Sequence, residues 1–335
     1  MAIEIVGTGK AVPLRKVTND DLASTLDTSD EWIRSHTGIA SRHIADENTA
    51  SSDLAILAGQ EALAMAEPGL APEEAAMTLD LIIVATVSGD HLGCPSTACL
   101  VQDRLGAKRA AAFDLTSGCT GFIYALETAA ALLISSPDRK RALVIGVEIL
   151  SKFADWSDRA SCVLFGDGSG AVLIEKTQSP EKRGLVRSTL YADGSGAEHI
   201  MYRRGGSREP FKDGETVEKS IHVQINGQAV YNFAVKAIKE TVEDILSKEN
   251  LCIDDVAWII PHQANARIVQ AAAKRLKTQE EKFFLNIAEY ANTGAASIPI
   301  ALDELNRSGN VKKGDLILLV GFGGGLTYGA NLIIW

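Results

Sequence analysis

Cys119 lies between a short apolar run, residues 111–115, and an apolar helix-forming run, residues 123–134. The pattern predicts a strand-to-helix turn with the thiol at the N-terminus of the helix. Unsatisfied N–H groups at such a terminus favour the thiolate, the form that attacks carbonyl carbon. Because free cysteine is among the most buried residue types, Cys119 taken alone is better explained as a structural residue. Whether Cys119 is catalytic depends on reactive residues elsewhere in the chain.

His262 and Asn292 stand at comparable positions. His262 follows the apolar run 257–261, and Asn292 lies in a turn of small residues, 290–297, before the helical run 297–307. Layered α/β sheets bind ligands at the carboxyl ends of their strands, so His262 and Cys119 are expected to converge. Singly, His262 is interpreted as a structural histidine and Asn292 as a helix cap. As a trio, Cys, His and Asn form a nucleophilic constellation that papain-like hydrolases also use.

Residues 321–329 read Gly-Phe-Gly-Gly-Gly-Leu-Thr-Tyr-Gly. Such a turn allows backbone N–H groups to face an oxyanion. An ordinary hairpin turn explains two glycines better than five. No Glu or Asp is evidently placed as an alternative base.

Apolar runs alternate with helical patterns along the whole chain. The runs predict buried strands at 4–7, 79–87, 111–115, 142–147, 171–175, 257–261, 283–287, 316–321 and 331–335. The helical patterns span 52–66, 120–134, 228–248, 264–276 and 297–307. Continuous apolar strands alternating with helices indicate an α/β protein whose sheets are covered on both faces.

The two parts of the chain resemble each other. A strand, a glycine-rich segment and a second strand occur at 142–174 and again at 316–334, which favours a duplicated unit. The halves are predicted at 1–176, carrying Cys119, and 177–335, carrying His262 and Asn292. Residues 191–223, rich in glycine and charge, are interpreted as a surface excursion between the halves.

Composition restricts the class of protein. With 335 residues, 46% apolar and 23% charged, the chain has room for two packed domains. A net charge of −10 argues against non-specific binding to nucleic acid or anionic membranes. No apolar run is long enough for a membrane span, and the N-terminus lacks the features of a signal peptide. The five scattered cysteines form no CxxC pair and indicate neither a disulfide framework nor a zinc site, so reduced thiols and a cytoplasmic protein are predicted.

Seven segments occur in the order in which they are found in β-ketoacyl-acyl carrier protein synthase III, and the chain resembles this family from near its N-terminus to Trp335. The segments are residues 28–33 (Thr-Ser-Asp-Glu-Trp-Ile), 37–39 (Thr-Gly-Ile), 119–122 (Cys-Thr-Gly-Phe), 165–168 (Phe-Gly-Asp-Gly), 261–265 (Pro-His-Gln-Ala-Asn), 292–297 (Asn-Thr-Gly-Ala-Ala-Ser) and 322–325 (Phe-Gly-Gly-Gly). The resemblance implies the thiolase fold, two similar halves stacked in five α-β-α-β-α layers, and a homodimer.

The resemblance also implies a reaction, a decarboxylative Claisen condensation that initiates fatty acid synthesis. Cys119 would take an acyl group from an acyl-CoA, with the N–H groups of Cys119 and Gly324 stabilising the oxyanion. His262 and Asn292 would then bond to the thioester carbonyl of malonyl-acyl carrier protein. This role requires a neutral His262 whose Nε2 carries the proton. Asn265 and Phe322 would support the site.

Substrate contacts follow from the same resemblance. Trp32 and Arg159 match positions that sandwich the adenine of CoA by stacking and cation–π attraction. His36 stands where the family often has Arg, so this contact is expected to be weaker or pH-dependent. The carrier protein is expected to dock on the helical run 264–276, where the basic residues are Arg267, Lys274 and Arg275. Asn232 stands where relatives often carry Lys, which would make this patch smaller.

Leu92 and Cys94 lie in residues 89–95, the loop that closes the acyl pocket from the dimer partner in the family. Cys94 falls near the position of a usually bulky gate residue. A smaller gate supports the hypothesis that branched or longer acyl starters are accepted.

Three other interpretations remain open at this point. The chain could be a condensing enzyme of a quinolone, polyketide or other specialised pathway, which differs in its substrates. A cysteine acyl hydrolase would let water discharge acyl-Cys119 without release of carbon dioxide. An inactive partner subunit would not need Cys119, His262 and Asn292 intact, which counts against the third interpretation.

Overall fold

The structure is a computed structural model that describes residues 1–178, 183–214 and 222–335. Over these residues the strands, in chain order, are β1 (Ala2–Ala11), β2 (Lys16–Thr18), β3 (Ser41–His43), β4 (Leu81–Ala85), β5 (Ala111–Leu115), β6 (Arg141–Ile149), β7 (Asp167–Thr177), β8 (Gly184–Ala192), β9 (Ile200–Tyr202), β10 (Val223–Ile225), β11 (Val256–Pro261), β12 (Leu316–Gly323) and β13 (Thr327–Ile334). The α-helices are α1 (Asn19–Ala23), α2 (Asp30–Thr37), α3 (Ser51–Ala66), α4 (Pro72–Ala76), α5 (Thr97–Leu105), α6 (Gly121–Ile134), α7 (Gly227–Lys248), α8 (Ala266–Leu276), α9 (Ile287–Tyr290) and α10 (Ser297–Arg307). All five helices predicted from the sequence are confirmed.

Two large sheets share one strand order. In the first sheet the order is β1-β7-β6-β4-β5; β4 is parallel to β5 and β6, whereas β7 is antiparallel to β6 and β1. In the second the order is β11-β12-β13-β8, with β11 parallel to β12 and β13 antiparallel to both of its neighbours. A parallel bridge from Ile259 to Phe283 lies where the first sheet has β5. The duplicated unit predicted from the sequence is therefore confirmed.

The strand predicted at 283–287 is wrong except for that single bridge. Phe283 follows a 3-10 turn, and the chain enters α9 at Ile287. Phe284 N–H still donates to the carbonyl of Ile259, but Asn286 N–H donates to the side chain of Gln263 instead of a neighbouring strand. A side-chain acceptor ends the ladder after two residues, which apolar patterning does not reveal.

Five layers result from how the helices cover these sheets. Helices α3 and α5 pack on the outer face of the first sheet, and α7 and α8 pack on the outer face of the second. Helices α6 and α10 lie between the sheets in one continuous core. Because α6 contacts apolar layers on both sides, it is apolar nearly all round. The α-β-α-β-α thiolase-like fold is confirmed.

Two glycines allow the segment that leads into α10 to lie directly against the first sheet. A Cβ at Gly146 in β6 would lie 2.3 Å from the carbonyl oxygen of Ala295. A Cβ at Gly170 in β7 would lie 2.5 Å from the nitrogen of Ile300. Any larger residue at these positions would push the segment away from the sheet.

The excursion was predicted to lie between the halves, but it begins within the half that contains the second sheet. Strand β8 pairs with β13, so residues after Ala192 leave from the second half and not from its boundary. Strands β9 and β10 pair with each other, and residues 215–221 of the excursion lie outside the described residues. The division at residue 176 stays a prediction. No helix in the described ranges combines the length and apolar character that a membrane crossing requires.

Candidate active site

Cys119 lies between β5 and α6, directly beneath the glycine turn that joins β12 to β13. A Cβ at Gly323 would lie 2.7 Å from the backbone nitrogen of Cys119 and 2.9 Å from its Cβ. A Cβ at Gly118 would lie 2.9 Å from both the nitrogen and the oxygen of Gly324. The turn and the cysteine loop are in backbone contact, and only glycine fits on either side.

The Cys119 thiol is protonated at neutral pH in the free chain. Burial, with a smaller contribution from the nearby Glu148 carboxylate, raises its pKa to about 12. The N-terminus of α6 favours the thiolate, but desolvation of the sulfur has the larger effect on the pKa. The nucleophile must lose its proton as it attacks.

His262 follows β11 and is 2% exposed. Its Nδ1 lies 2.7 Å from Ser297 Oγ, and that oxygen accepts the Gln263 N–H at 3.3 Å. With one lone pair occupied by Gln263, the Ser297 hydroxyl is placed to donate to Nδ1, which leaves the proton on Nε2. Burial lowers the pKa of His262 to about 3, so the ring is neutral. Ser297 orients the histidine, a role that the sequence did not reveal.

Phe322 connects the histidine to the cysteine. Its ring lies edge-on to His262 with centroids 5.1 Å apart and an interplanar angle of 64°. The next residue, Gly323, contacts Cys119. Two consecutive residues of β12 therefore bring His262 and Cys119 to one place.

Asn292 is held by its backbone and by one side-chain atom. Its N–H donates to the carbonyl of Leu164 at 2.9 Å, and its own carbonyl accepts from Gly166 N–H at 3.0 Å. Gly294 N–H donates to Asn292 Oδ1 at 2.9 Å. No residue that the structure describes accepts a hydrogen bond from Nδ2, which leaves this group as a donor for a ligand. Asn292 does not cap α10, whose N-cap is Ala296.

Glu148 was not singled out in the sequence. It is fully buried in β6 and accepts hydrogen bonds from Ser88 Oγ at 2.5 Å and from Val87 N–H at 3.1 Å. Burial raises its pKa to about 7. The available signal was a lone carboxylate directly after the apolar run 142–147, since Glu is almost never fully buried without partners.

Asn265 lies at the start of α8 and ties this helix to α2. Its Oδ1 accepts the Arg267 N–H at 2.9 Å, and its Nδ2 donates to the His36 carbonyl at 3.1 Å. The structure therefore places Asn265 beside the proposed CoA residues.

Trp32, His36 and Arg159 are brought together. The rings of Trp32 and His36 stack with centroids 4.5 Å apart, and the Arg159 guanidinium lies 5.8 Å from the Trp32 centroid. A base inserted between Trp32 and Arg159 needs about 7 Å, two van der Waals separations. Arg159 also bonds to Asp27, so adenine binding would require this arginine to shift outward.

A cavity of about 380 Å³ lies beside Arg159. Its lining includes Asp158 and Ala160, the chain neighbours of Arg159, and Val223 and Ile225 of β10. A larger cavity, of about 690 Å³, lies near Arg15, Lys152 and Trp156 and is lined by none of the predicted site residues.

The three predicted carrier-protein residues all lie on the exposed side of α8. Arg267, Lys274 and Arg275 are exposed, and within the described part of the chain no ion pair involves them. Val269 and Ala272 belong to an apolar stripe at helical spacing along the same helix, and they are buried against the second sheet. The stripe is core, and the basic side chains form the surface.

The predicted acyl-pocket residues are not closed over Cys119 within this chain. Leu92 is 80% exposed, and Cys94 is also exposed. Among the described residues no group of three His, Cys, Asp or Glu side chains is arranged to hold a metal ion.

A five-layer α-β-α-β-α chain in which consecutive residues of one strand contact a buried neutral histidine and a cysteine has the architecture of a thiolase-fold condensing enzyme. Residues 113–194 match the family described as 3-Oxoacyl-[acyl-carrier-protein (ACP)] synthase III, and residues 246–335 match its C-terminal domain. The chain belongs to the β-ketoacyl-[acyl-carrier-protein] synthase III family.

Individual relatives match the chain over nearly its full length. The β-ketoacyl-[acyl-carrier-protein] synthase III of Clostridium perfringens (strain SM101 / Type A) is 50% identical over 98% of each chain. The crystal structure of 3-oxoacyl-[acyl-carrier-protein] synthase III from Aquifex aeolicus VF5 is 44% identical, covers 99% of this chain and 100% of its own, and has a TM-score of 0.88. The enzyme from Thermus thermophilus is 41% identical over 99% of each chain, with a TM-score of 0.89.

Proposed function

We propose that this chain condenses an acyl-CoA starter with malonyl-acyl carrier protein, releasing carbon dioxide and forming a 3-oxoacyl-acyl carrier protein. This is the first carbon–carbon bond of fatty acid synthesis. The observation that carries the proposal is the contact of consecutive residues Phe322 and Gly323 with His262 and Cys119. The names of relatives up to 50% identical support the same activity.

In the first half-reaction Cys119 Sγ attacks the thioester carbonyl of the acyl-CoA. The new bond joins sulfur to the acyl carbon, the bond to the CoA sulfur breaks, and the Cys119 proton leaves with the CoA thiol. The N–H groups of Cys119 and Gly324 stabilise the oxyanion of the tetrahedral intermediate. The backbone contact between Gly118 and Gly324 supports this assignment.

In the second half-reaction the malonyl thioester carbonyl accepts hydrogen bonds from His262 Nε2 and Asn292 Nδ2. Its carboxylate leaves as carbon dioxide, and the electron pair forms an enolate that both donors stabilise. The enolate carbon attacks acyl-Cys119, the sulfur–carbon bond breaks, and the cysteine takes a proton from solvent. A neutral His262 whose Nδ1 accepts from the Ser297 hydroxyl carries its one ring proton on Nε2, the atom that donates to the carbonyl.

Both substrates bring their own chemistry, so no further cofactor is needed. Trp32, His36 and Arg159 would bind the adenine end of CoA, which would then enter past the cavity beside Arg159. Arg267, Lys274 and Arg275 would attract the acidic carrier protein, against the overall net charge of −10.

We further propose a homodimer in which a second copy covers the acyl pocket. Strand β5 is the outermost strand of the first sheet, and no strand among the described residues pairs with its far side. Leu92, 80% exposed in the single chain, and Cys94 lie in the loop after β4, its neighbouring strand. Apolar edge strands of this kind pair with another chain unless they are covered. The acyl chain that fits would then depend on Cys94.

The test follows the two half-reactions separately. The protein is incubated with acetyl-CoA and with branched and longer acyl-CoAs, and the mass at Cys119 is measured before malonyl-acyl carrier protein is added and carbon dioxide is followed. We expect an acyl adduct at Cys119 that is discharged with release of carbon dioxide, and faster turnover of branched or longer starters than of acetyl-CoA. Absence of an adduct with every acyl-CoA would refute the role of Cys119.

Other results of the same experiment identify the alternatives. Discharge of acyl-Cys119 by water alone, with no carbon dioxide released, would indicate a hydrolase. Condensation that starts only from an unusual acyl-CoA would indicate a specialised pathway. A strong preference for acetyl-CoA would refute the wide gate at Cys94 and leave the condensation intact.

A further inference from the structure

Glu148 is a fully buried carboxylate whose partners are hydrogen-bond donors from the loop after β4. Besides the Ser88 and Val87 bonds, Thr86 Oγ1 donates to Oε2 at 3.3 Å. A carboxylate out of water needs such donors, since burying an unpaired charge is strongly unfavourable. The arrangement anchors one side of the Glu148 side chain to the first half of the molecule.

The other side of Glu148 lies against the turn that follows Asn292. A Cβ at Gly294, where φ is +54°, would lie 2.7 Å from Glu148 Cγ and 3.3 Å from its Oε1. The Ala295 N–H faces the carboxylate and favours its charged form. Since Gly146 on the same strand contacts the Ala295 carbonyl, β6 and Glu148 form the surface on which the turn rests.

The position of this turn determines where the Asn292 amide points. Gly294 N–H donates to Asn292 Oδ1, so displacing Gly294 would rotate the side chain or break the bond. The backbone of Asn292 is fixed separately by Leu164 and Gly166. A continuous series of contacts therefore leads from the Glu148 carboxylate through Gly294 to the Asn292 amide.

We propose that Glu148 is a positioning residue for the condensation step, holding the Gly294–Ala295 backbone so that Asn292 Nδ2 faces the malonyl thioester. The proposal rests on the function proposed above, in which Asn292 acts only on the malonyl carbonyl. Glu148 is therefore needed for condensation and is dispensable for acylation of Cys119. Its charge even opposes the Cys119 thiolate, so its removal does not hinder the nucleophile.

The first test compares Glu148→Gln with the wild-type chain in both half-reactions. The NH₂ group of the glutamine faces the same N–H and O–H donors that bond to the carboxylate, so hydrogen bonds that support the turn are lost. The volume of the side chain stays the same. We expect condensation to fall at least about tenfold while acylation stays within about threefold of wild type. Asp303→Asn is the control. Asp303 is also fully buried, but it lies in the later part of α10, where it bonds to Thr8 and Arg307. Its replacement should change the rates of acylation and condensation by the same factor.

A second variant leaves Glu148 in place and disturbs only its contact. Gly294→Ala inserts a Cβ against Glu148 Cγ, whereas Gly309→Ala adds a Cβ at a similar positive φ, +71°, with no atom within 4 Å. We expect Gly294→Ala, and not Gly309→Ala, to lower condensation about tenfold relative to acylation.

Equal loss of both half-reactions, or no loss, in Glu148→Gln and Gly294→Ala would overturn the positioning role. If Glu148→Gln does not fold, Gly294→Ala decides by the same criterion. Failure of the wild-type chain to form acyl-Cys119 would refute the proposed function itself, which separates the two results.

Discussion

At the scale of single residues, burial decides the charge of the reacting groups. The pKa of Cys119 is raised to about 12 and that of His262 is lowered to about 3, both chiefly by removal from water. The site therefore starts as a thiol and a neutral imidazole, and not as a thiolate–imidazolium pair. This state suits a two-step transfer, because the same imidazole can act as a hydrogen-bond donor when the malonyl group arrives.

The lowered pKa of His262 predicts how the free energy of unfolding depends on pH. Well above pH 6.5 the ring is neutral in both the folded and the unfolded chain, and it contributes no pH dependence. As the pH falls from 6.5 toward 3, the unfolded chain gains a proton that the folded chain does not, so stability is lost. Between pH 7 and pH 5 this loss amounts to about 2 kcal/mol.

Replacing His262 by Gln removes the titrating group and should remove that loss. Urea unfolding at pH 7 and pH 5 measures the difference for the wild type and for His262→Gln. The raised pKa of Glu148 acts in the opposite direction, since the folded chain there binds the extra proton, but this contribution is common to both proteins. An equal change of unfolding free energy in the two proteins would show that His262 is not buried as described.

At the scale of elements, α8 combines two tasks on opposite faces. Ile268, Val269, Ala272 and Ala273 hold it against the second sheet. Its N-cap, Asn265, also bonds to the end of α2, so the helix with the proposed carrier-protein residues is tied to the helix that carries Trp32 and His36. Changes on the exposed face should therefore alter docking without disturbing the fold.

Charge reversal of Lys274 tests the docking surface. We expect Lys274→Glu to raise the KM for malonyl-acyl carrier protein about three- to tenfold, because an attraction to an acidic partner becomes a repulsion. Acylation by acyl-CoA should not change. Lys312→Glu is the matched control, since Lys312 is equally an exposed lysine and the net charge changes by the same amount. The same KM for both variants would place docking elsewhere.

At the scale of the whole molecule, the two sheets differ in the strand that forms one edge. The last strand position of the second sheet is reduced to the bridge at Phe283, whereas the first sheet ends in the full strand β5. A complete and unpaired edge is a place for a second chain to bind. The adjacent loop with Leu92 would become part of the same interface.

Leu92→Asp therefore serves as a test of the dimer. Sedimentation of the wild type should give twice the chain mass of 35.7 kDa, and Leu92→Asp should shift the equilibrium toward the single chain. Leu14→Asp is the control, since Leu14 is a fully exposed leucine elsewhere on the surface, and it should sediment as the wild type does. If Leu92→Asp leaves the dimer intact, the interface does not include this loop.

Much of the fold was predictable because it depends on patterns that are local in the chain. Apolar runs and helical periodicity identified the five principal helices and most strands, and the repeated glycine-rich segments at 165–170 and 321–325 indicated the duplication. The failed strand at 283–287 shows the limit. An acceptor from the distant Gln263 captures Asn286 N–H, and such a competitor is invisible in the pattern of its own segment.

The sequence by itself determined the identities and order of Cys119, His262, Asn292 and the glycine turn, and through them the resemblance to one family. Only the tertiary structure decided their states and supports: the protonated thiol, the histidine oriented by Ser297, and the buried Glu148 behind the Asn292 turn. The physical reason is that desolvation and hydrogen bonding depend on which residues meet across the fold. Glu148 and Gly294 are far apart in the chain, and their contact exists only once the two halves are packed together.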